Sequence, residues 1–245
     1  RLELEILLQH YTYDSLKLEA AKFLIRNMPH CYSYQQGGEM DSVKRVRTYY
    51  SPFGQIDQTY ARRWGHYTYR NLPKIYDAHI ITAEYLIDNI DRAFDNWQKR
   101  PWNRSLSFED FCEYLLPYRI GDEPLEEWRE LYEKKYGYLL DSIYKGSDVV
   151  EAANLVSRHL QEPVFIYCED FELPHIGPRY LFSHRYGSCV DAADIVTYAF
   201  RAVGIPCMED TDARGGHVWN VVRDTAGRDV PLWYIASEAV RGSRD

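Results

Sequence analysis

The spacing of apolar residues divides the chain into a mainly helical first part and a mixed second part. Apolar positions recur at helical intervals over about 14–28, 75–97 and 124–136, which predicts three helices. A capping box at 107–110 predicts a further short helix. Over 35–74 the spacing is irregular, and we expect mostly loop with short pieces of helix.

After about residue 147 the pattern changes to shorter elements. A helical run over 149–160 precedes an apolar run at 164–168, which predicts a strand. Ser188 and Asp191 are spaced as a second capping box, and the apolar residues that follow predict a helix that ends at Gly204.

Two further strands are predicted at 217–223 and 229–235, joined as a hairpin across a two-residue turn at 226–227. That turn would set Ala236 opposite His217. Together the elements predict an α+β fold, in which a mostly helical region precedes a helix packed on an antiparallel sheet.

These patterns divide the chain into a helical N-terminal region, 1–145, and a mixed core, 146–245. The chain begins at Arg1 without a signal peptide and ends in a polar string, so we expect a fragment or a processed form of a longer protein. A core truncated at its C-terminus and further domains in that longer protein are both compatible with this expectation.

Composition excludes several classes of protein. The chain has 245 residues with 29 basic and 37 acidic side chains, and its net charge of −8 argues against nucleic acid as a partner. No apolar run approaches the roughly 20 residues of a membrane-spanning helix. The five cysteines and eight histidines show no metal-ligand spacing. Since a glycine-rich phosphate loop and calcium-loop spacing are also missing from the sequence, we expect no metal and no other cofactor.

Cys189 is the candidate nucleophile. The capping box places it at the first position of its helix, where unbonded backbone N–H groups and the helix dipole favour a thiolate. His217 is its candidate partner, because it follows two glycines at the start of a strand and a thiolate nucleophile needs an acid or base within reach. An inert buried thiol and a structural histidine are the alternatives for the two residues.

Five segments carry a resemblance to a known family. Gly187-Ser188-Cys189, the run from Arg201 to Pro206, and His217-Val218-Trp219-Asn220 resemble, in this order, the core motifs of the transglutaminase-like superfamily. Upstream, the run from Phe111 to Arg119 and the pair Trp128-Arg129 are similar to the helical region of exported bacterial members. The resemblance implies a papain-like core, with the cysteine at a helix start and the histidine on the following strand.

The resemblance also implies an acid on the next strand that orients the histidine, and here the sequence departs from the family pattern. Trp233 follows Val230-Pro231-Leu232 at the point where an Asp is expected. With the two-residue turn, Glu238 would be the acid in reach on the face of His217, and we predict that it orients the imidazole. A histidine without such an acid is poorly held, so a degenerate, non-catalytic site stays open.

Four residues are candidates for substrate binding. Gly187 would let a substrate backbone approach closely, and Trp219 shares a strand face with the candidate histidine. Tyr118 and Arg119 are expected to form one wall of the cleft, with Arg119 binding a substrate carboxylate. Alternatively, Tyr118 and Arg119 have a structural role and connect the helical region to the core.

Two functions from different classes follow. In the first, the Cys189 thiolate attacks an amide or peptide carbonyl, His217 protonates the leaving amine, and water or an amine resolves the thioester, as in a protease, an amidase or a transglutaminase. In the second, the fold serves as a binding module for a glycan or peptide without turnover. The expected partner is a peptide, protein or glycopeptide, and the resemblance implies an extracytoplasmic location, exported or at the cell surface.

Overall fold

The computed structural model of the chain describes residues 1–50, 68–167, 173–233, 235 and 237–242. Within those residues, α-helices and short strands form a mixed α+β structure, as the spacing of apolar residues predicts. The α-helices are α1 (Leu2–His10), α2 (Ser15–Asn27), α3 (Gly38–Tyr50), α4 (Asp77–Ile80), α5 (Ala83–Lys99), α6 (Phe108–Tyr114), α7 (Arg129–Tyr138), α8 (Val149–His159), α9 (Pro178–Ser183) and α10 (Cys189–Val203). The strands are β1 (Tyr32–Tyr34), β2 (Lys74–Tyr76), β3 (Ile166–Tyr167), β4 (Tyr186–Gly187), β5 (Cys207–Thr211), β6 (Val218–Arg223) and β7 (Asp229–Leu232).

Side-chain caps set several of the helix starts. Ser107 accepts a hydrogen bond from the backbone N–H of Asp110 at the start of α6, which confirms the helix predicted there. Thr82 caps α5 in the same way, and its extended backbone interrupts the helical path before that point. The single helix predicted over 75–97 is therefore wrong, because β2 and α4 precede the cap.

Two other predictions about the helical region are corrected. The 35–74 stretch contains α3, a helix of 13 residues, where mostly loop was expected. Residues 51–67 of that stretch lie outside the described residues. The helix predicted from 124 begins later, as α7, and residues 124–128 before it are not helical. Upstream of these residues, the Glu123 carboxylate accepts hydrogen bonds from the backbone N–H groups of Ile120 and Gly121 and holds a turn there.

The strands form three small sheets. β5, β6 and β7 make an antiparallel sheet in that order, β1 pairs antiparallel with β2, and β3 pairs parallel with β4. The strand predicted at 164–168 is confirmed only as β3, and Cys168 lies outside the described residues.

The turn between β6 and β7 is longer than predicted. The Asp224 carboxylate accepts hydrogen bonds from the backbone N–H groups of Ala226 and Arg228, and the Asp224 N–H donates to the Arg228 carbonyl. The connection is therefore formed by 224–228, and the two-residue turn at 226–227 is wrong.

The longer turn changes the strand register by one residue. Asn220 lies opposite Leu232, whereas the predicted register would pair it with Trp233. The predicted alignment of Ala236 with His217 depended on the register of the two-residue turn, so it no longer follows. Ala236 itself lies outside the described residues.

Buried apolar side chains gather in two large clusters. One is built mainly from α1, α2, α5 and α6, and the other from α7, α8, α10 and the β5–β6–β7 sheet. Tyr132 and Tyr136 of α7 are buried in the second cluster, although they precede residue 146. Over the described part of the chain, no helix combines the length and apolar character that crossing a membrane requires.

The end of α10 is held by side chains from the N-terminal region. The Arg100 guanidinium donates to the carbonyl of Val203 at 2.7 Å. The Trp102 indole N–H and the Asn103 amide both donate to the carbonyl of Gly204 at 2.9 Å. These donors occupy carbonyls that the last turn of a helix otherwise leaves without a partner.

Candidate functional site

Cys189 is the first residue of α10, and its side chain is half-buried. The Ser188 hydroxyl accepts from the N–H of Asp191, and the Asp191 carboxylate accepts from the N–H of Ser188 at 2.8 Å, which confirms the capping box. The box uses the N–H groups of Ser188 and Asp191. The box does not use the N–H groups of Cys189 and Val190 in the same turn. These two groups could donate hydrogen bonds to an anion at the helix start.

His217 lies directly before β6 in a backbone position fixed by a turn. The Asp212 carboxylate accepts from the N–H of Gly216 at 2.6 Å, and the Asp212 carbonyl accepts from the N–H of Gly215 at 2.9 Å. The His217 carbonyl accepts from the Asp212 N–H at 3.2 Å and from the Thr211 hydroxyl at 3.0 Å. Gly215 has φ +67°, a left-handed conformation that favours glycine.

A narrow crevice connects the start of α10 with β6. The His217 and Trp219 rings lie 5.9 Å apart, centroid to centroid, so the imidazole flanks an indole that borders the same crevice as the thiol. Among the described residues, no hydrogen bond joins the Cys189 thiol to the His217 imidazole. The crevice is lined by Tyr167, Cys189, Ala192, Ala193, Val218, Trp219, Asn220, Trp233 and Ile235.

Asn220 fastens β6 to α10. Its amide donates to the carbonyl of Ala193 at 3.0 Å and to the hydroxyl of Thr197 at 2.8 Å, and the residue is buried. Sequence analysis missed this role. The available signal was a polar side chain between Val218 and Val222 on one face of an apolar strand.

Gly187 makes room for a buried ion pair beneath the first turn of α10. The Arg47 and Asp191 side chains meet at 2.7 Å, between Nη2 and Oδ2, and both are almost fully buried. A β-carbon at Gly187 would collide with the Asp191 carboxylate and the Arg47 guanidinium. The space that the prediction reserved for a substrate backbone is thus filled by these two side chains. Arg47 lies 144 residues from Asp191, so no local pattern pointed to it.

Glu238 does not lie where the predicted register put it. Its carboxylate is 69% exposed and lies 3.8 Å from the Arg158 guanidinium. The side chain that contacts Trp219 from the neighbouring strand segment is Trp233, with 4.8 Å between ring centroids. The placement of Glu238 gives no support to its predicted role as the orienting acid of His217.

Tyr118 and Arg119 lie away from the crevice. Both are buried, the Tyr118 hydroxyl donates to the Asp77 carboxylate at 3.0 Å, and the Arg119 guanidinium forms an ion pair with the same carboxylate. Burial opposes the charge of Arg119, but the Asp77 carboxylate outweighs it and raises the pKa of the guanidinium. Both residues line a second cavity, which shares no described lining residue with the crevice beside Cys189.

Comparisons with known proteins leave the site to be interpreted from its own geometry. No protein-family model matches the chain, and no curated protein or solved structure matches it significantly. Within the described residues, no group of three or more His, Cys, Asp or Glu side chains is arranged to hold a metal ion. The candidate elements are therefore the helix start at Cys189, which borders the crevice, and the strand start at His217, whose ring lies beside the Trp219 indole.

Proposed function

We propose that this chain catalyses cysteine-dependent acyl transfer on amide or peptide bonds, with Cys189 as the nucleophile and His217 as the acid and base. One observation carries the proposal. Cys189 is half-buried at the capped start of the long helix α10, beside two backbone N–H groups that the capping box does not use, and it shares a crevice with the indole next to His217. A helix start of this kind is a setting in which a thiolate is stabilised.

The chemistry assigns one task to each group. The Cys189 sulfur attacks the substrate carbonyl carbon, and the oxyanion that forms accepts a hydrogen bond from the N–H of Cys189 at the helix start. His217 gives a proton to the leaving amine as the C–N bond breaks. Water or an amine then attacks the thioester, His217 takes up its proton, and the thiolate is released. The packing of α10 on the β5–β6–β7 sheet is compatible with the papain-like core that the resemblance implies. An extracytoplasmic peptide or glycopeptide substrate is what the resemblance alone implies.

The aromatic contact between Trp219 and Trp233 favours a second candidate function. Trp233 stands where the family pattern has the acid that orients the histidine, so the crevice offers indole faces where a carboxylate is expected. Indole faces bind sugar rings and peptide side chains by stacking and burial. In this second function, the chain is a binding module that holds a glycan or peptide without turnover.

The rate at which iodoacetamide alkylates Cys189 from about pH 4 to about pH 10 separates the two functions. Mass spectrometry assigns the modified cysteine, and half-buried Cys31 is the internal control in the same chain. For acyl transfer, we expect Cys189 to be alkylated faster than Cys31 near neutral pH, and more slowly in His217→Ala than in the parent protein. Equal rates for Cys189 and Cys31 that do not change in His217→Ala would reject catalysis and favour the binding module.

Hydrolysis of a fluorogenic peptide mixture provides the direct test. Cys189→Ala should abolish the activity, while Cys31→Ala, which removes a thiol of similar exposure elsewhere, should retain it. Activity that persists in Cys189→Ala would contradict the assignment of the nucleophile.

A further inference from the structure

A cavity of about 730 Å³ lies on the side of the molecule formed by α2, the residues that follow it and the 117–122 segment. Its volume falls in the range of small-molecule binding sites, roughly 300–1,000 Å³. Most of its wall is apolar or aromatic, from Phe23, Leu24, Tyr32, Pro117, Ile120 and Met208. The remaining wall carries ionisable groups, and their balance of charge determines which ligand fits.

Arg119 contributes no unbalanced charge to the cavity. Its guanidinium forms an ion pair with the buried Asp77 carboxylate and lies 3.8 Å from the buried Glu123 carboxylate. Arg201 lies behind it, and its guanidinium donates to the Arg119 carbonyl at 3.1 Å. A substrate carboxylate would therefore compete with two buried acids for Arg119, which disfavours an anionic ligand.

His175 is balanced in the same way. Its Nδ1 lies 2.8 Å from the fully buried Asp194 carboxylate. Burial opposes the imidazolium, but Asp194 outweighs it and raises the pKa of His175 to about 11. Burial also raises the pKa of Glu209, which lies near this pair.

Two carboxylates in the cavity wall are not balanced. Among the described residues, no ion pair involves Glu113 on α6 or Asp122 in the 117–122 segment, and both line the cavity. One oxygen of Asp122 accepts from the His175 backbone N–H at 2.9 Å. The other ionisable lining groups are His30, Cys31, Tyr32 and Tyr118. Burial raises the pKa of the Cys31 thiol and of the Tyr118 hydroxyl, which keeps both neutral.

We propose that this cavity binds a small organic cation, an ammonium group on an apolar or aromatic body. The ammonium group lies against Glu113 and Asp122, and the body packs against the apolar wall. Glu113 is exposed and Asp122 is half-buried, so the affinity comes from charge attraction to these two carboxylates together with burial of the apolar body. The site is independent of Cys189, since the two cavities have separate linings.

Calorimetric titration with phenethylamine and hexylamine tests the proposal against two matched ligands, the neutral 2-phenylethanol and the anion phenylacetate. The amines should bind at least about tenfold more tightly than the alcohol, and phenylacetate more weakly still. Higher salt should reduce the affinity for the amines and leave that for the alcohol unchanged.

Charge-removing variants locate the site. Asp122→Asn keeps an oxygen for the His175 N–H, and Glu113→Gln keeps the side-chain length, so each should fold normally and weaken amine binding by about three- to tenfold. Glu109→Gln, one turn away on α6, is the matched control and should bind as the parent does. Cys189→Ala should also bind normally. Failure of both amines to bind, equal affinity for amine and alcohol, or unchanged binding in Glu113→Gln/Asp122→Asn would overturn the proposal.

Discussion

The indole rings of Trp219 and Trp233 lie 4.8 Å apart beside the crevice that Cys189 lines. Their contact follows from the strand register. Next to the pair formed by Asn220 and Leu232, Trp219 precedes Asn220 on β6 and Trp233 follows directly after the end of β7. An aromatic contact thus occupies the place next to His217 where an orienting carboxylate is expected.

Removal of one indole should destabilise this edge of the sheet. We expect Trp233→Ala to lower the free energy of unfolding by about 2–3 kcal/mol, because it deletes a half-buried ring and its ring–ring contact. Urea denaturation measures the loss. Tyr13→Ala, which removes a fully exposed ring, is the control and should change little. A loss in Trp233→Ala no larger than in this control would show that the ring contact contributes nothing.

A methyl group at position 187 should disturb the start of α10. Gly187→Ala places a β-carbon against the Asp191 carboxylate and the Arg47 guanidinium, at a φ of +154°. We expect the free energy of unfolding to fall by about 2–3 kcal/mol. Gly227→Ala is the control, since φ is +73° but no heavy atom lies within 4 Å, and it should lose only about 1 kcal/mol. Equal losses would contradict the role of the ion pair.

Loss of the Asn220 amide should loosen the contact between β6 and α10. Asn220→Ala removes two buried hydrogen bonds and leaves the Ala193 carbonyl without this donor, so we expect a loss of about 2–3 kcal/mol in thermal or urea unfolding. Asn27→Ala removes an exposed amide that donates to a helix carbonyl and should lose less than about 1 kcal/mol. Similar values for both variants would reject the fastening role.

Because of the turn after β6, the free energy of unfolding should depend on pH under acidic conditions. Burial disfavours the ionised Asp224 carboxylate, but hydrogen bonds from Arg228, Ala226 and Arg241 outweigh it and lower the pKa to about 2. The folded state therefore binds this proton more weakly than the unfolded state. The stabilisation is present above about pH 4, the unfolded value, and is lost as the pH falls through about 2.

Asp224→Asn tests this dependence, because it keeps an oxygen for the backbone N–H groups but removes the charge. At neutral pH the variant should be less stable than the parent by about 1–2 kcal/mol, and the difference should close near pH 2. Urea unfolding at both pH values measures it. A difference that stays constant with pH would show that the charge of Asp224 is not what holds the turn.

Local signals in the sequence were sufficient for the helix start at Cys189. The Ser188 and Asp191 capping box involves residues three apart, and its geometry follows from their types alone. The same holds for the cap at Ser107. The mixed α+β class of the fold follows from apolar spacing, although that spacing did not predict α3 or the break before α5.

Features that depend on distant residues were not predictable in this way. Arg47 reaches Asp191 from a helix in a stretch whose irregular apolar spacing indicated loop. The turn at 224–228 is set by the Asp224 carboxylate, which also contacts Arg241, rather than by the glycine that suggested a shorter turn. Because one residue of difference in the turn changes every pairing beyond it, the predicted acid at Glu238 was misplaced as well.

The helix that carries Cys189 is completed at both ends by groups from the first 145 residues. Arg47 neutralises the carboxylate in its first turn, and Arg100, Trp102 and Asn103 occupy carbonyls at its last. A segment restricted to 146–245 would lose all four donors and leave a buried carboxylate without its counter-charge. We therefore expect a segment restricted to 146–245 to be much less stable than the same residues in the whole chain.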